Sequence, residues 1–385
     1  MHRLLGLGAI ILGTVVVCAS TAAASMTARP NAADAARAAS FNGATAGAIA
    51  QLEPYVTAHP DDTAAARTLG DLYFRNGDLD RAQTVWLADT KRHPDDRDTH
   101  ERLGELLAAR GHSADAMHEF EQSIPLRGGL LRLVELHRQN GSLKDFVATT
   151  YMRAAERPED PAPLMLYAIV LQGAHRAADA LPYYTHVVDM MVSTDDRCYA
   201  LVSRATDLLE LQRRGEAIAD LQTCLQSDPN NYGALTVLGS VDLDTGANSQ
   251  ARTLLEHALA VLPDGVEALI NLGYLDDLSG NRDQASQRYE QAIALDPLRP
   301  EGYVNLGYDY AEQGNYAQSE SVLLSGLVGN PDNGRLHFLL GTTYRSEDKP
   351  ELANAQFRAA LTSDDAQVVT AARAALANQP TSITS

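Results

Sequence analysis

Between Thr63 and Asp96 the large apolar side chains come in two groups, Leu69 with Tyr73 and then Trp86 four residues after Ala82, and Asn76-Gly77 separates them. A spacing of four puts each pair on one face of a helix, and Asn-Gly is a strong turn signal. The stretch therefore predicts two antiparallel helices joined by a tight turn. Gly70 and Ala82 are small enough to let the helices approach closely, and Pro94 ends the second one.

The same pattern returns at a fixed interval. Pro60 and Pro94, then Pro229, Pro263, Pro297 and Pro331, are 34 residues apart within each group, as are Gly70 and Gly104, then Gly239, Gly273, Gly307 and Gly341. With Thr63 as position 1, further repeats start in strict phase at Arg97, and again at Tyr232, Val266, Pro300 and Gly334. Gly104 and Gly239 are 135 residues apart, one short of four periods, so repeats from Arg127, Pro161 and Cys198 carry the array through the middle with small indels. Arg29–Asp62 reads as a degenerate first repeat, with Ala36, Gly43, Ala48 and Pro60 in phase. A period of this size marks an array in which each repeat buries its apolar face against its neighbours.

Two places depart from the pattern. In the repeat from Arg127, Val134 and Phe146 replace the small residues, and Ile124-Pro125 and Gly128-Gly129 interrupt the helix before it. We expect the helices to be pushed apart there and the curvature to change over residues 124 to 150. At the other end, Val368 to Asn378 is an alanine-rich helical stretch that can cover the last apolar face, and residues 379 to 385 form a tail.

Leu69-Gly70, Tyr73 three residues on, Ala82, Trp86 four residues after it, and Pro94 together resemble the tetratricopeptide repeat (TPR) family. The resemblance implies an all-α, right-handed superhelical solenoid of about nine to ten antiparallel helix hairpins, whose first helices line the concave face. It also implies a non-catalytic scaffold or adaptor that binds a protein segment on that face. The chain then divides into a signal peptide at 1–24, a linker and degenerate repeat at 25–62, N-terminal TPR units at 63–194, C-terminal TPR units at 195–367, and a capping helix and tail at 368–385.

Charge narrows the partners. Lys+Arg number 31 and Asp+Glu 50, a net charge of -19, which argues against nucleic acid or an anionic membrane surface and leaves a protein or peptide partner, neutral or basic. The N-terminus narrows the location. Arg3, the apolar run Leu4 to Val17, and Ala22-Ala23-Ala24 before Ser25 read as a secretory signal cleaved after Ala24, because the run is well short of the roughly 20 residues that span a bilayer. An acylated Cys18 and an uncleaved anchor are the alternatives. The expected location is periplasmic or extracellular, with a membrane tether only in those two cases. Cys198 and Cys224 then remain as an even pair, at the start of the first helix and the end of the second helix of one repeat. They are either a disulfide or two buried thiols.

Chemistry is sparse. The chain has no phosphate-binding glycine loop, no His-Glu-x-x-His, no Gly-x-Ser-x-Gly and no paired Cys-x-x-Cys, so no enzyme activity, cofactor or metal is expected. His59 and His93 hold the same place before Pro60 and Pro94 and read as repeat punctuation, while His112 and His118 share one exposed segment.

The candidate binding residues lie in the late repeats. Asn271-Leu272-Gly273-Tyr274 recurs as Asn305-Leu306-Gly307-Tyr308. Within the resemblance, the two Asn are similar to the asparagine ladder in the TPR superhelix of the O-linked N-acetylglucosamine transferases, which implies contact with a peptide backbone. An amide suits that role because it both donates and accepts. Val237 and Leu339 hold the position in the flanking repeats, so the ladder has two rungs. Asp242, Asp244, Asp276, Asp277, Asp309 and Glu312 gather near the ends of the same first helices, where each opposes the helix dipole by about 0.3–1 kcal/mol. They describe a groove for a basic segment or a divalent cation, with Arg345 as counterweight, or the surface of a very acidic protein. The candidate peptide-binding set is Asn271, Tyr274, Asn305, Tyr308, Asp277, Glu312 and Arg345. A component of an envelope machine for polysaccharide or protein export is the alternative function.

Overall fold

The computed structural model describes residues 45–124, 127–191, 193–363 and 365–377. The proposed signal, Cys18, the first helix of the degenerate repeat and the tail lie outside them. Among the described residues twenty helices follow one another, Thr45–Ala58 first and Ala366–Ala377 last, with no strand. The eighteen between them pair as nine hairpins.

One backbone feature stamps each hairpin. The residue at position 15 is left-handed in all nine: Gly77, Gly111, Gly141, Gly246, Gly280 and Gly314 with φ of 73° to 78°, and His175, Gln212 and Asp348 with φ of 57° to 61°. Glycine takes this conformation freely, whereas a Cβ is strained in it. Helix starts are capped from the preceding loop. The Asp62 carboxylate accepts from the Ala65 amide, Asn231 from the Ala234 amide, and Asp160 precedes Pro161 at the first helical position.

The contacts of the described residues divide into two units, the first Trp86–Leu272 and the second combining residues 45–85 with those from Gly273 onward. In unit 1 the glycine at position 8 faces a large side chain at position 24. A Cβ on Gly104 would come within 2.8 Å of the Phe120 ring, and one on Gly239 within 2.8 Å of Leu255. The predicted close approach is therefore real, and the large residue fills the space that glycine leaves. Arg204 grips Asp220 with two hydrogen bonds of 2.7 Å between the helices Thr194–Glu210 and Arg214–Ser227. Phe146 does not enter the seam as the small residues at its position do. It is half-buried with its ring stacked on His137 at 4.1 Å, and its helix Leu143–Glu156 buries only Thr150 and Ala154.

Cys198 and Cys224 are joined as a disulfide, with both side chains fully buried and Cα atoms 5.0 Å apart. It closes a loop of 26 residues within one hairpin. Replacing both cysteines with alanine is expected to lower the stability of unit 1 by about 3 kcal/mol, read as a shift in urea midpoint. A shift under about 0.5 kcal/mol would show that the bridge constrains nothing the packing does not.

Unit 2 repeats the same device with Gly273 under Tyr289, Gly307 under Leu323 and Gly341 under Phe357, each with a would-be Cβ at 2.5–2.7 Å. It also contains the N-terminal helices Thr45–Ala58 and Thr63–Arg75, and the second of these touches the helix Arg282–Leu295. The helix Ala366–Ala377 lies against both helices of the last hairpin, as a terminal cap must.

Candidate functional site

In the four late repeats position 6 of the first helix is buried whichever residue holds it. Val237, Asn271, Asn305 and Leu339 are each 7% exposed. Two repeats thus place an amide where their neighbours place an apolar side chain, and the Asn305 Nδ2 is buried with no hydrogen-bond acceptor. Leaving a buried donor unmet costs about 1–3 kcal/mol.

Asp276, Asp277 and Asp309 have partners on the helix Arg282–Leu295, with Gln313 added at Asp309. Arg288 Nε lies 2.7 Å from Asp276 Oδ2, and Asp276 is fully buried. The Tyr289 hydroxyl donates to Asp277 Oδ2 at 2.8 Å. Ser286 Oγ and Gln313 Nε2 donate to Asp309 Oδ2 at 2.8 and 3.0 Å, with Arg282 Nε 3.9 Å from the other oxygen. These ties offset the dipole cost that the sequence alone leaves unexplained, so this part of the row fastens helices together.

Four of the predicted residues do come together. The Tyr308 hydroxyl is raised in pKa by burial, then by the Glu312 carboxylate, with Asp277 and Tyr274 also in electrostatic reach and Arg282 acting the other way. Tyr274 and Tyr308 are half-buried, and Glu312 is exposed. Arg345 stands elsewhere, its guanidinium 5.2 Å from the Phe357 ring centroid. The cation in this cluster is instead Arg282, which sequence reasoning missed. Its signal was available: it opens the second helix right after the Gly280 turn, and the turn brings it back beside the end of the first. Ser286, Arg288 and Tyr289 were missed for the same reason.

Asp277 carries a pH dependence. Burial pushes its carboxyl up to about 6 against the Tyr289 hydrogen bond, Asp309 adds to the rise and Arg282 opposes it. The folded chain therefore holds the proton more tightly than the unfolded chain, whose carboxyl titrates near 3.8. Between these values the folded state binds more protons, so stability falls as pH rises from about 4 to 6. We expect unit 2 to resist urea better at pH 5 than at pH 7.5, and Asp277→Asn to flatten that difference. An unchanged slope in the variant would assign the effect to another group.

His59 Nδ1 lies 3.0 Å from the Tyr55 carbonyl and His93 Nδ1 3.0 Å from Asp89, both local ties beside their prolines. Among the described residues no three His, Cys, Asp or Glu side chains group as a metal site.

Two family models, each described as a tetratricopeptide repeat, match the chain, one over residues 208–272 and the other over 33–83, 68–129, 279–324 and 304–381. No curated protein matches it. Among solved structures the chain is similar to the APC/C hetero-tetramer Cut9-Hcn1, with 16% identity and a TM-score of 0.52 over 82% of this chain and 64% of that one. It thus spans under two thirds of that relative. It is also similar to a tetratricopeptide repeat protein from Parabacteroides merdae, at 18% identity and a TM-score of 0.48 over 64% of this chain and 98% of that one. A third is MamA, at 23% and 0.35 over 41% and 92%. At 16% identity the likeness to the first of these concerns the fold alone.

Proposed function

We propose that this chain, which belongs to the tetratricopeptide repeat family, is an exported scaffold of the cell envelope that holds an extended protein segment along its first helices near Asn305. Repeats of this family suggest protein-interaction scaffolds, and the position within the array follows from one observation. Asn305 is an amide at a position that is apolar in two of the four late repeats, and its buried donor lacks an acceptor. A backbone carbonyl of the bound segment supplies that acceptor. The amide is covered in the free chain, so binding requires side chains around it to move. Tyr308 and Tyr274 add flat, half-buried surface beside it, and Glu312 and Arg282 offer both signs of charge.

The tied state of Asp276, Asp277 and Asp309 shifts the expected partner from a strongly basic segment towards a neutral or mixed one. Export rests on the apolar run Leu4 to Val17 with its small-residue end. The test is a quantitative pull-down from the native envelope with wild type and with Asn271→Ala plus Asn305→Ala. We expect at least one partner to drop by about tenfold, the equivalent of 1.4 kcal/mol. An identical partner set at identical yields would remove these positions from the binding surface.

A further inference from the structure

The two stretches that make up unit 2 meet where each breaks the repeat pattern. Position 12 of the first helix varies from alanine and leucine to polar and charged residues in the other repeats and is aromatic in none of them, but in the helix Thr63–Arg75 it is Phe74. Position 30 of the second helix is Val261 and Leu295 in the two preceding repeats, but in the repeat from Pro300 it is Gly329. The two exceptions face each other. A Cβ on Gly329 would lie 2.9 Å from Phe74 Cζ and 3.2 Å from Leu298 Cδ2, and Phe74 is 3% exposed.

Charge and burial agree with this seat. The Arg75 guanidinium is lowered in pKa by burial, with the Tyr303 hydroxyl, Asp71 and Glu290 acting on it in the other direction. Tyr303 is itself buried and donates to the Pro297 carbonyl at 2.9 Å. Ala294 of the helix Arg282–Leu295 is buried, whereas Ala260 and Val328 at the same position in the repeats on either side are exposed. Ordinary repeat packing leaves that position open. The helix Thr63–Arg75 touches this helix, a partner that the repeat pattern alone does not give to the corresponding helices on either side.

We propose that Phe74 and Arg75 form a clasp, an aromatic tip and a cation seated in a socket of Gly329, Leu298, Tyr303 and Glu290, which holds the N-terminal hairpin on the last repeats and opens without unfolding either. Each side keeps its own core when the clasp opens. The tip is the end of a helix whose Leu69 and Tyr73 stay buried in their own repeat pattern, and the socket is a patch on two consecutive hairpins. Such a joint is a separate cooperative element, with an opening free energy below that of the global transition.

The test is hydrogen exchange on the full-length chain with two opposite changes. Phe74→Ala empties the socket, and Gly329→Leu overfills it. Each is expected to raise exchange by about tenfold or more on both sides of the joint, at 63–75 and at 290–329, with residues 161–227 unchanged. Combining the two is expected to recover part of the protection, because the leucine occupies the space the phenylalanine leaves. If either single variant alters only its own side, or if exchange rises evenly along the whole chain, the clasp is overturned. If both variants fold and neither changes exchange at the joint, it is overturned as well.

Discussion

Phe357→Ala is expected to destabilise the C-terminal end of unit 2 by about 3–5 kcal/mol. The ring is 1% exposed and lies against Gly341, whose missing Cβ would sit 2.7 Å from it. Glycine has no side chain to turn into a void, so the cavity left by the ring stays largely empty. Two further contacts are lost, the tilted Phe338 ring at 5.6 Å and the Arg345 guanidinium at 5.2 Å, each worth on the order of 0.5–1 kcal/mol. The helix Ala366–Ala377 rests on both helices of this hairpin, so the cap is released with it. Hydrogen exchange should rise over 334–377 and stay unchanged over 161–227, since stability in an array is a sum of local and neighbour contributions. Phe357→Leu should cost less than half as much. Equal losses for alanine and leucine would mean that cavity volume does not set the effect.

Arg288→Met should cost a similar amount, about 3–5 kcal/mol, by a different route. Asp276 is fully buried and Arg288 reaches it at 2.7 Å, so removing the guanidinium leaves a carboxylate in a low-dielectric site without that cation. Methionine keeps most of the aliphatic length, which separates charge from packing. Adding Asp276→Asn to Arg288→Met is expected to recover a large part of the loss, because the buried charge goes with it. A loss of under about 0.5 kcal/mol for the single variant, the range of ordinary surface changes, would show that the pair is not buried in any energetic sense.

The phase of the repeat made much of this legible in advance. Counting from Thr63 places a small residue at position 8 where the two helices of a hairpin close on each other, and it lets Cys198 reach Cys224 because both lie in one hairpin. The acidic row was visible, but the partners of its members were not. Asp276 and Asp277 look costly along the first helix alone, and Arg288 and Tyr289, which relieve them, lie across the turn at a distance no i to i+4 reading samples. Position 6 stands out in the sequence for carrying Asn in two repeats, yet its burial could not be read, since the pattern says which face a residue is on and not how deeply neighbours cover it. The meeting of Phe74 with Gly329 was hidden most completely. A period predicts neighbours one repeat apart, and these residues lie seven repeats apart, so only their two departures from the pattern carried the signal.

That separation also sets a clock on synthesis. A ribosome adding about 5–20 residues per second needs on the order of 13–50 s to make the chain between Phe74 and Gly329. Through that interval the N-terminal hairpin is complete while the surface that will cover its aromatic tip does not yet exist. The two stretches of unit 2 are therefore made at well-separated times, and an aromatic side chain must stay soluble, or be chaperoned, until its socket arrives.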